Sequence, residues 1–421
     1  MDTTKKAFEL KLESITRFMF NIVMISPLPP ERAGESIYTA TLITEMANNE
    51  NVRIIAIAGP DAFELPNRSG RVTTLNIWRS QSLFYPLKLI KVIAKLQPHI
   101  VHVQFGPDGT VYGGLFGEPM IVLLNLLRLI GINTTITLHS TWMTDQVENR
   151  ISTYPRIGKI SFLAKAIFRL FMKFILLGVT KIQLSTTKFD SLLKRNFIDE
   201  FHLSEGDVYE IPHPCALVKN HYDSSDAKHQ LRLDGRFIIL IFGFIRRGKG
   251  LEIALEALDK VKHKIPNVLL LIAGSARDSD SRSYLMQLKN KTKKLGLEEF
   301  VRFDSQYIPD GMVPTYFSAA GIILLPYTES VGASGLIHNY ADYAKPIIVA
   351  DTGYHMKEAL DGTLTLFKNR DSEDLANKVI ALINDNQRRK ELGNRQRAYA
   401  ANESWNVAAK RTMQNYKRII F

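Results

Sequence analysis

The stretch FIILIFGFIRRGKGLEIALEAL, residues 237–258, decides how the rest of this chain is interpreted. It begins with an apolar, β-prone run, Phe237–Phe242, which predicts a strand buried on both faces of a sheet. A loop of glycines and cations follows, and then an amphipathic helix with Glu252 and Glu256 on its solvent face. This order favours phosphate binding, because backbone N–H groups and the helix dipole attract an anion that Arg and Lys neutralise. The alternative is a solvated turn with ordinary surface cations.

The composition bounds the class of protein. The chain has 421 residues, 45% of them apolar, which is enough for two hydrophobic cores. Its one cysteine, Cys215, excludes a disulfide framework and a thiolate cluster, and the spacing of the ten histidines predicts no structural metal. The first twenty residues lack the apolar core of a signal peptide, and no uncharged run reaches the roughly 20 residues of a membrane-spanning helix. We therefore expect a cytoplasmic protein.

The net charge is +12, and much of it lies in one segment. Between Arg156 and Arg195, nine Lys and Arg residues stand against one acid, Asp190, so this segment alone carries +8. Proteins with such a charge bind nucleic acids, anionic membrane surfaces or phosphorylated ligands. The composition does not choose among these partners.

Strands alternate with helices along the chain, and this order predicts parallel, doubly wound α/β sheets. A linker is predicted at about residues 212–234, between two Rossmann-like halves. Ligands of such sheets bind beyond the carboxyl ends of the strands, so the expected site is a central cleft that both halves face. The predicted strands are residues 21–26, 52–58, 100–104, 134–138, 181–185, 208–211, 237–242, 268–273, 301–303, 321–325 and 347–350.

A second loop, PYTESVGASG at residues 326–335, joins another buried strand to a helix. Ser334 and Gly335 at the helix start offer a hydroxyl and unhindered N–H groups to a phosphate. The carboxylate of Glu329 is placed to accept hydroxyl groups of a sugar or ribose. The alternative is a helix cap beside an exposed acid.

Together, FGFIRRGKG, PYTESVGASG and the later AKPIIVADTG resemble the retaining GT-B glycosyltransferases of glycosyltransferase family 4, or group 1. SPLPPERAG, QPHIVHVQF, TLHSTW and VYEIPHP fit the same family. The resemblance implies two Rossmann-like domains with parallel sheets facing a central cleft. Residues 1–215 would form an N-terminal acceptor-side domain and residues 216–404 a C-terminal nucleotide-sugar-binding domain, with the helix at about 405–421 crossing back to the first.

The resemblance also implies roles for single residues. Lys249 matches the lysine that contacts the donor diphosphate in this family. Gly34 matches the N-terminal loop glycine that approaches the donor phosphates and the acceptor. His139 matches the histidine at the sugar, where a neutral imidazole would hydrogen-bond a donor hydroxyl or support charge in the transition state. Its alternative role is to cap the following turn.

The chain departs from the family pattern at two places. Phe244 occupies the position of the arginine that usually follows the loop glycine, and Arg246 is the expected substitute. The paired glutamates of the family are not intact, because their positions counted back from Pro346 hold Val331 and Asn339. Glu329 is therefore expected to take part of that role, and ribose recognition moves to Asn339 or to backbone groups.

The implied function is the transfer of a hexosyl group from GDP-mannose or UDP-hexose to a glycan or glycolipid, with retention of configuration. No metal or cofactor is expected, and Asp278-Ser279-Asp280 is interpreted as a solvated loop rather than a metal motif. One alternative is a sugar-nucleotide epimerase or hydrolase of the same fold. Another is a basic protein that binds membranes or nucleic acid, although the aromatic side chains of a base-stacking groove are missing, so that nucleic acid is not an expected partner.

The basic segment bears on the acceptor. Within residues 159–178, Lys165, Arg169 and Lys173 form one stripe of an apolar helix predicted from Ile160 to Gly178. Such a helix suits an anionic membrane surface, and thus a peripheral position on the cytoplasmic membrane face with a lipid-linked acceptor. The alternative is a core helix with one polar, solvated face.

Overall fold

The computed structural model describes residues 20–31, 33–48, 52–66, 70–78, 82–106, 109–114, 117–139, 143–144, 147, 161–186, 191–218, 222–328, 335–352 and 362–421. The strands are β1 (Phe20–Ile25), β2 (Val52–Ile57), β3 (Val72–Leu75), β4 (Ile100–Phe105), β5 (Thr134–Leu138), β6 (Lys181–Thr186), β7 (Val208–Pro212), β8 (Phe237–Phe242), β9 (Val268–Ala273), β10 (Val301–Asp304), β11 (Ile322–Leu325), β12 (Ile347–Ala350) and β13 (Leu364–Phe367).

The helices are α1 (Gly34–Ala47), α2 (Tyr85–Leu96), α3 (Gly109–Tyr112), α4 (Glu118–Leu129), α5 (Ser161–Gly178), α6 (Ser191–Phe201), α7 (Ser224–Leu231), α8 (Leu251–Val261), α9 (Ser279–Lys294), α10 (Val313–Ala319), α11 (Gly335–Tyr340), α12 (Ser372–Asn384), α13 (Asn386–Asn402) and α14 (Trp405–Ile420). The chain forms two compact units: the first runs to Pro212 and includes Trp405–Phe421, and the second is His213–Ser404.

Each unit is built on a parallel sheet. The order is β3-β2-β1-β4-β5-β6-β7 in the first unit and β10-β9-β8-β11-β12-β13 in the second. In both sheets the chain moves outward from the first strand, returns to the other side of it and continues outward, as in a Rossmann fold. The order therefore reverses between β1 and β4 and again between β8 and β11. Ligands bind at the carboxyl ends of the strands at such points.

Apolar strands place the second sheet between two hydrophobic layers. Ile239 and Ile241 of β8 pack on the side of α8 and α12, whereas Ile238 and Leu240 pack on the side of α7 and α10. Because successive side chains point to opposite faces, a strand covered by helices on both faces must be apolar at every position. This confirms the prediction that Phe237–Phe242 is a buried strand.

Two strands are absent from the sequence prediction. They are β3 (VTTL) and β13 (LTLF), the outermost strands at one edge of each sheet. Each is four residues long and carries threonine, so neither has the continuous apolar run that marks the inner strands.

The last helix belongs to the first unit. Its residues Ala409, Met413 and Tyr416 lie in the core with Tyr38 and Leu42 of α1. The first junction lies after Pro212 rather than at the predicted 215/216. Cys215 pairs with the end of the second unit. Its N–H donates to the carbonyl of Glu403 at 2.6 Å, and its backbone forms a parallel β-bridge with Ser404.

Candidate functional site

The cationic loop lies at the switch point of the second sheet. It follows β8, and the second predicted loop follows β11, which pairs directly with β8 through Ile322–Ile239 and Ile323–Leu240. The two loops thus leave neighbouring strands at the same edge of the sheet. The structure brings together what the sequence separates by more than 75 residues.

Direct contacts join the two loops. Gly250 has a φ of 65°, and a Cβ atom there would lie 1.8 Å from the carbonyl oxygen of Pro326. The N–H of Thr328 donates to the carbonyl of Gly248 at 3.1 Å. A side chain at position 250 would separate the loops, so this glycine is required by both its backbone conformation and its close approach.

Lys249 lies where these loops meet. Its ammonium group is 3.5 Å from the centre of the Tyr327 ring, and the side chain is half-buried. Burial and the neighbouring charge of Arg246 lower the pKa of Lys249 from its ordinary 10.5 to about 8. An anion bound at this position would therefore stabilise the partly desolvated ammonium group.

The two arginines of the loop differ in their surroundings. Arg247 is held against α9, where it donates to Gln287 at 2.9 Å and lies over the ring of Tyr284. Arg246 is exposed, and among the described residues its guanidinium donates only to the carbonyl of Arg247, at 3.4 Å. Arg247 thus has a structural role, and Arg246 keeps most of its five N–H donors for a ligand.

A further cation lies beside Phe244, the residue that replaces the arginine of the family. The guanidinium carbon of Arg277 is 3.4 Å above the centre of the Phe244 ring. Arg277 follows β9, the neighbour of β8, and is exposed. Arg277 was not predicted as a site residue, because nothing in the spacing of residues 244 and 277 relates them.

The helix after the second loop is α11. Gly335 begins it, and Asn339 is exposed. A Cβ atom on Gly243 would lie 3.8 Å from Cδ1 of Leu336. This places the start of α11 beside the cationic loop. Glu329 and Ser334 lie outside the described residues, and the donor-binding roles of Gly335 and Asn339 stay predictions.

In the first unit, Gly34 begins α1 and is exposed. A Cβ atom there would meet nothing within 4 Å, so packing inside this unit does not explain the glycine. At the end of β4, by contrast, a Cβ on Gly106 would lie 1.9 Å from a carboxylate oxygen of Glu35. The predicted approach of Gly34 to the donor phosphates and the acceptor stays a prediction.

His139 follows β5 and is half-buried. Its Nε2 is 2.7 Å from Oε1 of Gln104, and the ring of Tyr38 meets it edge-on with 4.6 Å between the ring centres. The imidazole is thus held by an amide from β4 and an aromatic ring from α1, and its role toward a sugar stays a prediction.

Behind His139 lies a buried polar network that the sequence analysis missed. Nε2 of Gln104 is 3.1 Å from Nε2 of His102, which is also 2.6 Å from Oγ1 of Thr137. Nδ1 of His102 bonds to the hydroxyl of Tyr416. Burial, and to a lesser extent the charge of His139, lowers the pKa of His102 to about 3, so this imidazole is neutral. The sequence pattern that could have revealed this network is the alternation of polar and apolar residues in IVHVQF and TTITLH, because both strands are buried on both faces.

The Asp278-Ser279-Asp280 motif is a helix cap. The carboxylate of Asp278 accepts the N–H of Ser281 at 2.7 Å at the start of α9. Among the described residues, no group of three or more His, Cys, Asp and Glu side chains is arranged to hold a metal ion.

Helix α5 exposes an apolar face rather than a polar one. Met172 and Ile175 are buried against the unit, while the opposite side carries exposed apolar side chains. Arg169 and Lys173 are exposed beside that face, and Lys165 is half-buried. Helix α5 thus packs on the core with one side and exposes both apolar side chains and cations on the other, and its contact with a membrane stays a prediction. The exposed apolar residues of α5 are Leu163, Ile167, Leu170, Phe174 and Leu177, and those of the adjacent α4 and its end are Val122, Leu129 and Ile130.

Comparison with known proteins bears first on the second unit. Residues 223–399 match the family model of Glycosyl transferases group 1. The second unit is a group 1 glycosyl transferase domain. A relative of this domain, D-inositol 3-phosphate glycosyltransferase of Corynebacterium aurimucosum, is 26% identical over 174 residues, which cover 41% of each chain. Mannosylfructose-phosphate synthase of Agrobacterium fabrum is 28% identical over 135 residues, covering 30% of this chain and 29% of that protein. The chain thus matches less than half the length of these curated relatives.

Solved structures match both units. A glycosyltransferase from Rickettsia africae has a TM-score of 0.71 at 15% identity, covering 96% of this chain and 99% of that one. HepE of Anabaena in complex with UDP has a TM-score of 0.67 at 14% identity, covering 95% of this chain and 100% of that one. With the two parallel sheets, these matches confirm the predicted GT-B fold.

Proposed function

We propose that this protein transfers a hexosyl group from a nucleotide-diphosphate sugar to a glycan or glycolipid acceptor, with retention of configuration. The observation that carries the proposal is the group of cations at the carboxyl end of β8, at the switch point of the second sheet. There Lys249 is desolvated beside Arg246, and both belong to the loop that contacts the loop after β11. The group 1 match of the same unit and the UDP complex of HepE support a nucleotide sugar as the ligand.

The loop would act on the leaving group. As the bond from the anomeric carbon to the diphosphate breaks, negative charge grows on the departing phosphate. Lys249 and Arg246 stabilise that charge in a site from which part of the water is excluded, and such interactions are usually the largest contribution to catalysis. Arg277, held over Phe244, adds a cation at the neighbouring strand end. No step in this scheme requires a metal ion.

For the first unit, we propose that His139 hydrogen-bonds a hydroxyl of the transferred sugar. Its imidazole is half-buried and already oriented by Gln104 and Tyr38. A protein side chain that is already held in place before the substrate binds loses little conformational entropy in the transition state. Retention of configuration would follow if the acceptor attacks from the face that the diphosphate leaves.

The proposal is tested with a panel of nucleotide sugars that includes GDP-mannose and UDP-hexoses. We expect at least one of them to raise the melting temperature, and the same donor to label a membrane extract when radioactive sugar is supplied. If no nucleotide sugar stabilises the protein, the proposal fails. Turnover of the donor at an equal rate without any acceptor would instead favour an epimerase or hydrolase.

The apolar face of α5 bears on the acceptor. We propose that it rests on an anionic membrane, with Arg169 and Lys173 at the head groups and side chains such as Leu170 and Phe174 among the acyl chains. This position would give access to a lipid-linked acceptor. No helix among the described residues is long and apolar enough to cross a membrane, so the contact would be peripheral.

Vesicle sedimentation tests this contact. Replacing Lys165, Arg169 and Lys173 together by Gln should release the protein from vesicles rich in anionic lipid. The control removes the same charge from the exposed Lys289, Lys293 and Lys294 of α9 and should leave binding unchanged. Equal binding of both variants would exclude α5 as the membrane surface.

A further inference from the structure

A row of buried polar side chains crosses the first sheet beneath His139. Gln104 of β4 pairs in register with Thr137 of β5, and Thr137 pairs with Gln183 of β6. Gln104 and Thr137 are fully buried, and Gln183 is 2% exposed. Helices cover both faces of a sheet of this kind, so polar groups in it cost free energy unless they are hydrogen-bonded. Their presence calls for a function beyond packing.

The bonds in this network have a direction. The amide oxygen of Gln104 faces His139 at 2.7 Å, and its amide nitrogen faces His102 at 3.1 Å. An amide oxygen only accepts, so Nε2 of His139 must carry a proton. An amide nitrogen only donates, so Nε2 of His102 must accept, and the proton of the neutral His102 ring lies on Nδ1.

The far end of the network is compatible with this direction, because a hydroxyl group can either donate or accept. Nδ1 of His102 bonds to the hydroxyl of Tyr416 on α14, and Nε2 of His102 also lies 2.6 Å from the hydroxyl of Thr137. His102 and Tyr416 are 0% and 1% exposed, so water does not compete for these groups. The chain of bonds therefore runs from the last helix through two strands to His139.

We propose that Gln104 is a positioning residue that holds His139 in the tautomer with its proton on Nε2. In the neutral ring, Nδ1 then carries the lone pair and accepts a hydrogen bond from a hydroxyl group of the substrate. The identity of that substrate as a nucleotide sugar rests on the proposed function, whereas the tautomer does not. His102 and Tyr416 act through Gln104 by holding its amide group in place.

The tautomer is measured by NMR on protein labelled with 15N-histidine, with the His139 signals assigned by their loss in His139→Asn. We expect a ring N–H signal on Nε2 of His139 and one on Nδ1 of His102, both protected from exchange with water by their hydrogen bonds. Gln104→Met removes the acceptor without removing much volume, and it should abolish protection of the His139 signal. Gln104→Glu keeps an acceptor oxygen and should preserve that signal.

Gln183→Met is the matched control. It replaces a second buried glutamine in the same row of the sheet, two strands away from Gln104, whose amide nitrogen has no hydrogen-bond partner among the described residues. This variant should leave the His139 signal unchanged. A His139 proton on Nδ1 in the wild-type protein, or an unchanged His139 signal in Gln104→Met, would overturn the inference.

Activity gives a second readout once a donor is known. Gln104→Met should lower kcat by about tenfold or more, as partners that orient a functional histidine commonly do, and should change the donor KM much less. Gln183→Met should leave kcat unchanged. An unchanged kcat in Gln104→Met, with the His139 signal lost, would show that the tautomer serves no catalytic purpose and would contradict this part of the inference. Failure to find any donor would refute the proposed function and leave the NMR result to decide the tautomer.

Discussion

The central strands of the second sheet are apolar throughout, whereas β4 and β5 of the first sheet bury polar side chains. β8, β9, β11 and β12 read FIILIF, VLLLIA, IILL and IIVA, and the candidate site residues of this unit follow the ends of the strands. In β4 and β5, IVHVQF and TTITL, the hydrogen bonds that hold His139 pass through the interior of the sheet.

In the second unit, the candidate site residues thus lie in loops outside the strands. In the first unit, the residues that hold His139 belong to the strands themselves. In the second unit, a loop cation can be removed without disturbing the core. In the first unit, a change in the network that holds His139 also leaves a buried polar group without its partner, and that costs about 1–3 kcal/mol. The following predictions test this contrast, beginning with the largest expected effect.

Lys249→Met should lower the rate of sugar transfer by about a hundredfold, the usual effect of losing one contact that stabilises a developing charge. The melting temperature should hardly change, because methionine keeps an apolar contact with the Tyr327 ring and removes a partly desolvated charge. Arg247→Met is the control from the same loop and should keep most of the activity, since Arg247 is bound to Gln287 of α9. Equal losses in the two variants would mean that the loop acts through its overall charge.

Donor affinity should fall at high pH. The pKa of Lys249 is lowered to about 8 by burial and by Arg246, so its charge is complete well below pH 8 and is lost as the pH rises through that value. Above it, the dissociation constant of a nucleoside diphosphate should rise by up to about tenfold per pH unit. Lys249→Arg, which keeps its charge, should show a flat profile. A wild-type profile that is equally flat would contradict the role of this lysine.

Tyr416→Phe should lower the free energy of unfolding of the first unit by about 1 kcal/mol, because His102 loses the partner of its Nδ1. Chemical denaturation followed by near-UV circular dichroism measures this loss. Tyr209→Phe is the control, since the hydroxyl of Tyr209 has no hydrogen-bond partner in the described part of the chain. Binding of a nucleoside diphosphate should be the same in both variants and in the wild type. A weaker affinity of Tyr416→Phe for the nucleoside diphosphate would contradict the expectation that the buried network of the first unit does not affect diphosphate binding.

Arg277→Ala should have the smallest effect, a loss of donor affinity of about threefold, because its exposed guanidinium acts across solvent. Lys264→Ala removes the same charge near the amino end of β9 and should change nothing. Isothermal titration of both variants with one donor measures the difference, and equal affinities would remove Arg277 from the site.

The fold of the second unit was largely predictable from sequence, because its glycines and cations lie in loops between apolar strands. Buried strands read as apolar runs, and the glycines and cations that follow them stand out by contrast. The short edge strands β3 and β13 were not predicted, because their short length and their threonines leave no continuous apolar run. Arg277 escaped as well, because only the pairing of β8 with β9 brings it to Phe244.

The network of the first unit was not predicted. His102, Gln104 and Thr137 look like solvent-facing positions of a half-buried strand when the sequence is read for alternation. Only the helices that cover both faces of the sheet turn them into buried groups that require partners, and Tyr416 comes from the end of the chain. His139 itself was selected from the family resemblance, without the residues that hold it.

The most direct test of the central claim is a comparison of two ligands by isothermal titration. A nucleoside and its diphosphate differ only in the group that the loop of Lys249 is proposed to bind. We expect Lys249→Met to weaken binding of the diphosphate by at least about tenfold, the worth of one charge-assisted hydrogen bond, and to leave binding of the nucleoside unchanged. Equal affinity of wild type and Lys249→Met for the diphosphate would contradict the account.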